Sequence, residues 1–193
     1  MIGHHASSHR LVHHHRHVAT PADPASAARG RGFWRYLPRA ALGGFREGLR
    51  AETALRRRAA MPGLHPYLHY ALASATALAL LPGLRARVLA LWLLVAAHAQ
   101  LQIHLSDYVQ HYGLTRARLP DGRDEPVAAR HSWNTAHWFS SALLLNAPRH
   151  SDHHSHPARP YPALRLPEDA PPACPGPCRS PRRWRCFRRS GTG

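Results

Sequence analysis

The sequence has few acidic residues. Asp and Glu number 10 among 193 residues, against 26 for Lys and Arg, which leaves a formal net charge of +16 with histidine neutral. Much of this charge lies in two blocks, residues 29–40 and 178–193. A positive charge of this size favours an anionic partner, either a nucleic acid or a phospholipid surface.

Cysteine is also scarce. The chain has three, and Cys174, Cys178 and Cys186 all lie in a tail rich in Pro and Arg. A zinc site of the four-ligand type needs a second pair beside the first, so the single C-x3-C pair disfavours one. The residues after Met1 are rich in His rather than apolar, so we expect no secretory signal.

Residues 66–105 are mostly Ala, Leu and Val, interrupted by the sequence PGLRAR. This pattern predicts a helical hairpin. Crossing a bilayer takes about 20 residues, so the second arm is nearly long enough and the first, at about 16, is marginal. We favour a membrane hairpin whose basic turn faces the cytoplasm; the alternative is a buried hairpin of a soluble protein. The predicted fold class is all-α, an integral membrane helical protein.

Two further segments read as helices. Residues 33–58 alternate Arg with apolar residues and predict an amphipathic helix, either on a membrane surface or solvated. Residues 138–146 are apolar but too short to span, so we expect a re-entrant or surface helix. Ionisable residues at the end of an apolar helix are costly in lipid, which makes His104 and Asp107 functional candidates.

The 18 histidines form groups with helical spacing. His150, His153 and His154 share one helix face, and so do His9 and His13, with His14 close by. Neutral imidazole is a good ligand for iron, copper, nickel or zinc, so two facing triplets would hold two metals. A chance polar tract is the alternative. Carboxylates or carbonyls that orient such ligands could be supplied by Asp23, Asp107, Asn134 and Asp152.

Several runs carry a family resemblance: HVATPADPASA, SDYVQHYGL and HSWNTAHWFSSALLLNAPRHSDHH. Over about residues 3–168 the chain resembles the integral-membrane alkane 1-monooxygenases of the membrane fatty acid desaturase/hydroxylase superfamily. The resemblance implies a partial desaturase-like fold with His-rich cytoplasmic helices in the bacterial inner membrane. It also implies terminal hydroxylation of alkyl chains with dioxygen at two non-haem irons, with electrons from a rubredoxin-type donor.

By this resemblance the iron ligands are His9, His13, His14, His111, His150, His153 and His154. The family's earlier H-E-x-x-H box has no counterpart here, so we expect an N-terminally truncated copy with an incomplete iron site. The chain has three consecutive histidines, 13–15, where the family has two. Either His13 and His14 keep register with His9, or His14 and His15 keep register with the RHVATP run.

We therefore expect residues 1–168 to be the C-terminal part of a desaturase-type domain and residues 169–193 to be a disordered or frameshifted tail; a basic lipid-binding tail is the alternative. The expected partners are an alkane or fatty acyl substrate, the rubredoxin-type donor and membrane lipid. Other functions stay open: a desaturase acting on another lipid, or a non-catalytic metal-binding membrane fragment. The apolar hairpin argues against a nucleic-acid-binding protein. Whether the chain is active is also open.

Overall fold

The fold is helical throughout the part of the chain that a computed structural model describes, residues 13–80 and 86–166. Across those two ranges the only extended pairing is an isolated bridge between Arg118 and Asp124. The all-α prediction is therefore confirmed. The chain divides into two compact units, Met1–Val127 and Ala128–Gly193. His9, the three cysteines and the predicted tail lie outside the described residues.

The described residues of the first unit form four helices: α1 (His15–His17), α2 (Phe33–Arg58), α3 (Pro66–Leu80) and α4 (Ala86–His111). The second unit contains α5 (Trp138–Leu143) and α6 (His150–Ser155), with single 3-10 turns at Ala129–His131 and Tyr161–Ala163. The predicted amphipathic helix at residues 33–58 and the short helix after residue 138 are both confirmed.

Helix α2 buries one narrow face, formed by Tyr36, Ala40, Gly44 and Gly48. Residues four apart lie on one side of a helix, and three of these four are small, so a neighbour can approach the backbone closely. The approach is tightest at Gly43, where an added Cβ would lie 2.7 Å from Cβ of Pro24. The loop before α2 therefore packs directly onto the helix.

Helices α3 and α4 point their apolar side chains outward. Leu80 is 71% exposed and Leu94 66% exposed, although both lie in apolar runs. A core helix of a soluble protein would bury such residues, so this exposure argues against the soluble hairpin. Among the described residues, α4 is the one helix long and apolar enough to cross a membrane. Helix α3 has 15 described residues, which is short for a span.

Helix α2 contacts the end of α4 and the start of α3. At its start, the Tyr36 and Phe33 rings lie 5.1 and 5.5 Å from the ring of Tyr108, near the end of α4. Farther along, the Tyr67 hydroxyl at the start of α3 donates to the Phe45 carbonyl over 3.1 Å. One amphipathic helix therefore contacts both the end of α4 and the start of α3.

Ala40 tests the packing of this helix. It is 1% exposed in the cluster with Ala27, Tyr36 and Tyr108. Ala40→Leu should lower the free energy of unfolding by about 1–3 kcal/mol, because a close-packed site must shift to admit three more carbons. Ala54→Leu, on the exposed side of α2, is the matched control and should change it by less than about 0.5 kcal/mol. Thermal melting in one detergent, followed by circular dichroism, compares them; equal melting temperatures would contradict the packing.

Candidate metal centre

In the first unit, the site is built around His14, which lies in the turn leading into α1 and is fully buried. Its Nδ1 lies 2.8 Å from Oδ2 of Asp23. The Asp23 carboxylate also accepts from the Ser26 hydroxyl over 2.6 Å and from the Ala25 N–H over 3.0 Å. A carboxylate acceptor at Nδ1 places the proton there and leaves Nε2 as the ligand atom, which is how metal-binding histidines are commonly oriented.

His111 lies beside His14, at the end of α4. Their rings meet edge to face with centroids 5.0 Å apart, and one ring nitrogen of each lies within 4.8 Å of the other. His111 is fully buried, and His104 and Asp107 are buried on the same helix at spacings of three and four residues. The last two turns of the apolar helix therefore carry a buried polar face.

The other two histidines of the 13–15 run point elsewhere. Nε2 of His13 lies 3.2 Å from the Ala22 carbonyl, which it can reach only as a donor, and its ring lies 4.7 Å from that of His17. The His15 ring centroid is 6.0 Å from that of His14. Of the three, His14 is the residue that the structure brings together with His111. His13 as an iron ligand stays a prediction.

In the second unit, α6 carries His150, His153 and His154, all buried. Nε2 of His150 and Nε2 of His154 lie 3.0 Å apart, as the four-residue spacing on a helix allows. The His153 ring stacks on Tyr161 with centroids 5.0 Å apart. The predicted shared face is confirmed for His150 and His154, and His153 lies next to them with ring centroids 5.8 Å from each.

Three polar residues hold this short helix in place. The Asn134 side-chain oxygen accepts from both the backbone N–H and the hydroxyl of Ser151, each over 2.9 Å. Arg149 donates to the Leu164 carbonyl over 2.6 Å. A six-residue helix is too short to be stable alone, so these bonds keep the histidines in position.

Asp152 is the third support of α6, and its side chain is nearly fully buried. Burial by itself raises the pKa of the Asp152 carboxyl, but hydrogen bonds from the Arg165 N–H, the Arg159 guanidinium and His156 outweigh it and hold the pKa below its ordinary value. Both carboxylate oxygens lie 2.6 Å from Nη1 of Arg159. The carboxylate therefore ties α6 to the segment that follows it.

The donor atoms suit a metal of the iron, copper, nickel or zinc class, which imidazole nitrogens bind well. Two nitrogens bound at right angles to one ion, each at about 2.1 Å, are about 3.0 Å apart. The 3.0 Å between His150 and His154 matches that spacing. Burial excludes water from these nitrogens, and the Asp23 carboxylate fixes the tautomer of His14. The second unit thus presents a pair of imidazoles whose spacing fits one metal ion, and the first presents His14 beside His111 with a ring nitrogen of each within 4.8 Å of the other.

Comparison with known proteins identifies the family. The family described as fatty acid desaturase matches residues 1–175. The chain belongs to the fatty acid desaturase family. This finding and the helical architecture agree with the resemblance drawn from the sequence motifs.

Several curated proteins that are similar to this chain are alkane 1-monooxygenases. The enzyme of Pseudomonas putida is 35% identical over 156 residues, which cover 79% of this chain and 39% of the relative. Alkane 1-monooxygenase 1 of Alcanivorax borkumensis is 35% identical over 165 residues, covering 82% and 40%. Alkane 1-monooxygenase 2 of Pseudomonas aeruginosa is 35% identical over 164 residues, covering 82% and 43%. The chain spans about two fifths of the length of these relatives.

The predicted supporting residues differ in what they bond. Asp23 bonds the predicted ligand His14, whereas Asp152 bonds His156, Arg159 and the Arg165 N–H. Asn134 bonds Ser151. His131, which was not among the predicted ligands, is buried, and its Nδ1 accepts from the Ala128 N–H over 2.9 Å. His131 follows Ala128 by three residues in a tight turn, and this spacing is the sequence feature that predicts the hydrogen bond between them.

Asp152→Asn should lower the melting temperature at pH 7, because the amide loses the charge that Arg159 and the Arg165 N–H bond. A carboxyl with a lowered native pKa contributes stability that is fully present above its unfolded pKa, near 4, and is lost as the pH falls through the native value. The difference from the unsubstituted chain should therefore shrink below about pH 4.

Asp121→Asn is the matched control. Asp121 also has a lowered pKa, because the Arg123 backbone N–H and side chain bond it, but it lies on the surface. Exposed pairs contribute little, so its melting temperature should stay within error of the unsubstituted chain. A pH-independent loss in Asp152→Asn would show that its charge is not what holds α6.

Proposed function

We propose that this chain carries the C-terminal, metal-holding part of a membrane monooxygenase of the alkane 1-monooxygenase type, which hydroxylates the terminal carbon of alkyl chains with dioxygen. The observation that carries the proposal is the pairing of buried imidazoles in a chain of the desaturase family. His14 with His111, and His150 with His154, each offer two nitrogens in a water-excluded setting. The similar curated proteins compared above are alkane 1-monooxygenases.

Two non-haem irons are the proposed cofactor, with His9, His13, His14, His111, His150, His153 and His154 as ligands. Iron would supply the reaction with dioxygen, which no side chain of the protein performs by itself. Other residues of the chain orient the histidine ligands. Asp23 keeps the proton of His14 on Nδ1, and Asn134 and Asp152 fix the helix that carries His150 and His154.

Helix α4 would guide the substrate. Its first turns expose Leu91, Leu94 and Val95, and its last turn carries His111. An alkyl chain dissolved in the bilayer contacts apolar side chains without losing hydrogen bonds, so it can lie along this helix with one end near the histidine. The proposed setting is the bacterial inner membrane with the histidines on the cytoplasmic side, where a rubredoxin-type donor would deliver electrons. Arg87 and His111 lie at opposite ends of α4, so this orientation places Arg87 on the side opposite to the one that the charge of the turn predicts.

Activity is tested with the full chain in membranes, supplied with iron, rubredoxin, its reductase, NADH and octane. The product measured is 1-octanol, and its formation would show that the part of the enzyme present in this chain is active by itself. His150→Ala/His154→Ala should abolish it, because it removes one nitrogen pair. His98→Ala/His137→Ala removes two exposed histidines and is the matched control, which should keep full product.

Other outcomes of the same assay contradict the proposal. An alkenyl product from an added fatty acyl substrate, with no alcohol, would indicate a desaturase. One weakly bound ion per chain, with no product, would indicate a non-catalytic metal-binding fragment. Equal product from both double variants would exclude His150 and His154 from the reaction.

Asp23→Asn should weaken metal binding by about 10–100-fold, because an amide no longer orients His14 as a carboxylate does. Titration of the detergent-solubilised chain with Co²⁺, followed by its visible absorption, measures the dissociation constant independently of turnover. Asp121→Asn controls for the loss of one negative charge. Unchanged Co²⁺ affinity in Asp23→Asn would mean that His14 needs no carboxylate to bind.

A further inference from the structure

We propose that helix α2 lies in the membrane interface and binds anionic phospholipid headgroups through one flank of arginines. This inference does not depend on the proposed enzymatic activity. It rests on three features of the helix: where its arginines fall, what lies beside them, and which ends of the hairpin the helix contacts.

The arginines of α2 follow a regular spacing. Arg35, Arg39, Arg46, Arg50 and Arg57 are separated by four, seven, four and seven residues. At about 100° per residue, these positions fall within an arc of about 60°. Arg35, Arg46, Arg50 and Arg57 are exposed, and Arg39 is half-buried. The result is a line of positive charge along one side of a 26-residue helix.

An apolar stripe runs beside this arginine flank. Trp34, Leu42, Phe45 and Leu49 fall within a neighbouring arc of about 80°, on the side opposite the buried face of Tyr36, Ala40, Gly44 and Gly48. Trp34 is 74% exposed and Leu42 60% exposed. An exposed apolar stripe edged by cations is the pattern of helices that lie in the headgroup region of a bilayer.

The position of α2 in the first unit indicates the same surface. The helix contacts Tyr108 near the end of α4 and Tyr67 at the start of α3. A helix that crosses the bilayer leaves it at such an end, and tyrosines are enriched at that depth. The apolar stripe and the arginines of α2 are therefore next to the helix that meets the lipid.

Phospholipid fits this surface better than nucleic acid or an acidic protein. A nucleic acid or an acidic protein would bind the arginines but leave Trp34 and Leu42 exposed to water. A bilayer contacts the arginines with its headgroups and the apolar side chains with its acyl chains. Each arginine close to an anionic bilayer strengthens association by about fivefold. An anionic leaflet therefore binds both the exposed apolar stripe and the arginine flank.

Trp34 provides the readout. The full chain is reconstituted in nanodiscs that contain a fixed fraction of brominated lipid, either phosphatidylglycerol or phosphatidylcholine, and tryptophan quenching is recorded. The chain has five tryptophans, so the difference from Trp34→Phe isolates Trp34. Because quenching by bromine is short-ranged, this difference reports lipid in contact with the Trp34 ring.

Brominated phosphatidylglycerol should quench Trp34 more strongly than brominated phosphatidylcholine, and the preference should fall at least about fivefold in Arg35→Gln/Arg46→Gln. Arg118→Gln/Arg123→Gln removes the same charge from an exposed loop and should keep the preference. Circular dichroism confirms that each variant is helical. Equal quenching by the two lipids would overturn the proposal. So would quenching by neither lipid together with an emission shift of Trp34 on adding polyglutamate, which would indicate a protein-docking surface.

Discussion

The hydrogen bond between His14 and Asp23 joins two groups that are each fully buried, and much of the first unit depends on it. A buried carboxylate is costly unless several donors surround it. Asp23 has three, from His14, Ser26 and the Ala25 backbone. The same loop then accepts the Tyr36 hydroxyl at the Ala25 carbonyl, over 3.0 Å. The orientation of one imidazole is therefore coupled to the packing of α2.

That coupling extends to the hairpin. Tyr36 packs on Tyr108, whose hydroxyl donates to the Arg31 carbonyl over 2.8 Å, and His111 follows one turn later on α4. The apolar helix, the amphipathic helix and the loop of Asp23 thus meet at one end of the hairpin. In the second unit, Asn134 bonds Ser151, and Asp152, which lies within α6, bonds Arg159 and the Arg165 N–H, so these bonds fix the helix that carries His150 and His154.

Local sequence patterns predicted the helices better than they predicted which residues contact one another. The bounds of α2 follow from arginines and apolar residues at helical spacing, and His150 and His154 face one way because they are four residues apart. Helix α4 continues to His111, six residues beyond the predicted end at 105, because its polar residues share one buried face and an apolar run does not reveal that. The bond from Asp23 to His14 spans nine residues across an irregular loop, and no periodicity encodes it. The register of histidines 13–15 is not encoded by periodicity either, and His14, which lies beside His111, belongs to both of the predicted alternatives.

The length of α4 has a further consequence. Its 26 residues extend about 39 Å at 1.5 Å per residue, while the hydrocarbon layer of a bilayer is about 30 Å thick. The surplus is about six residues, and the last turns of α4, with Asp107 and His111, form the polar end. A bilayer a few ångströms thicker would draw these turns toward hydrocarbon, and the mismatch costs a fraction of a kcal/mol per ångström. By its length, α4 therefore fits a bilayer of ordinary thickness with its polar last turns outside the hydrocarbon layer.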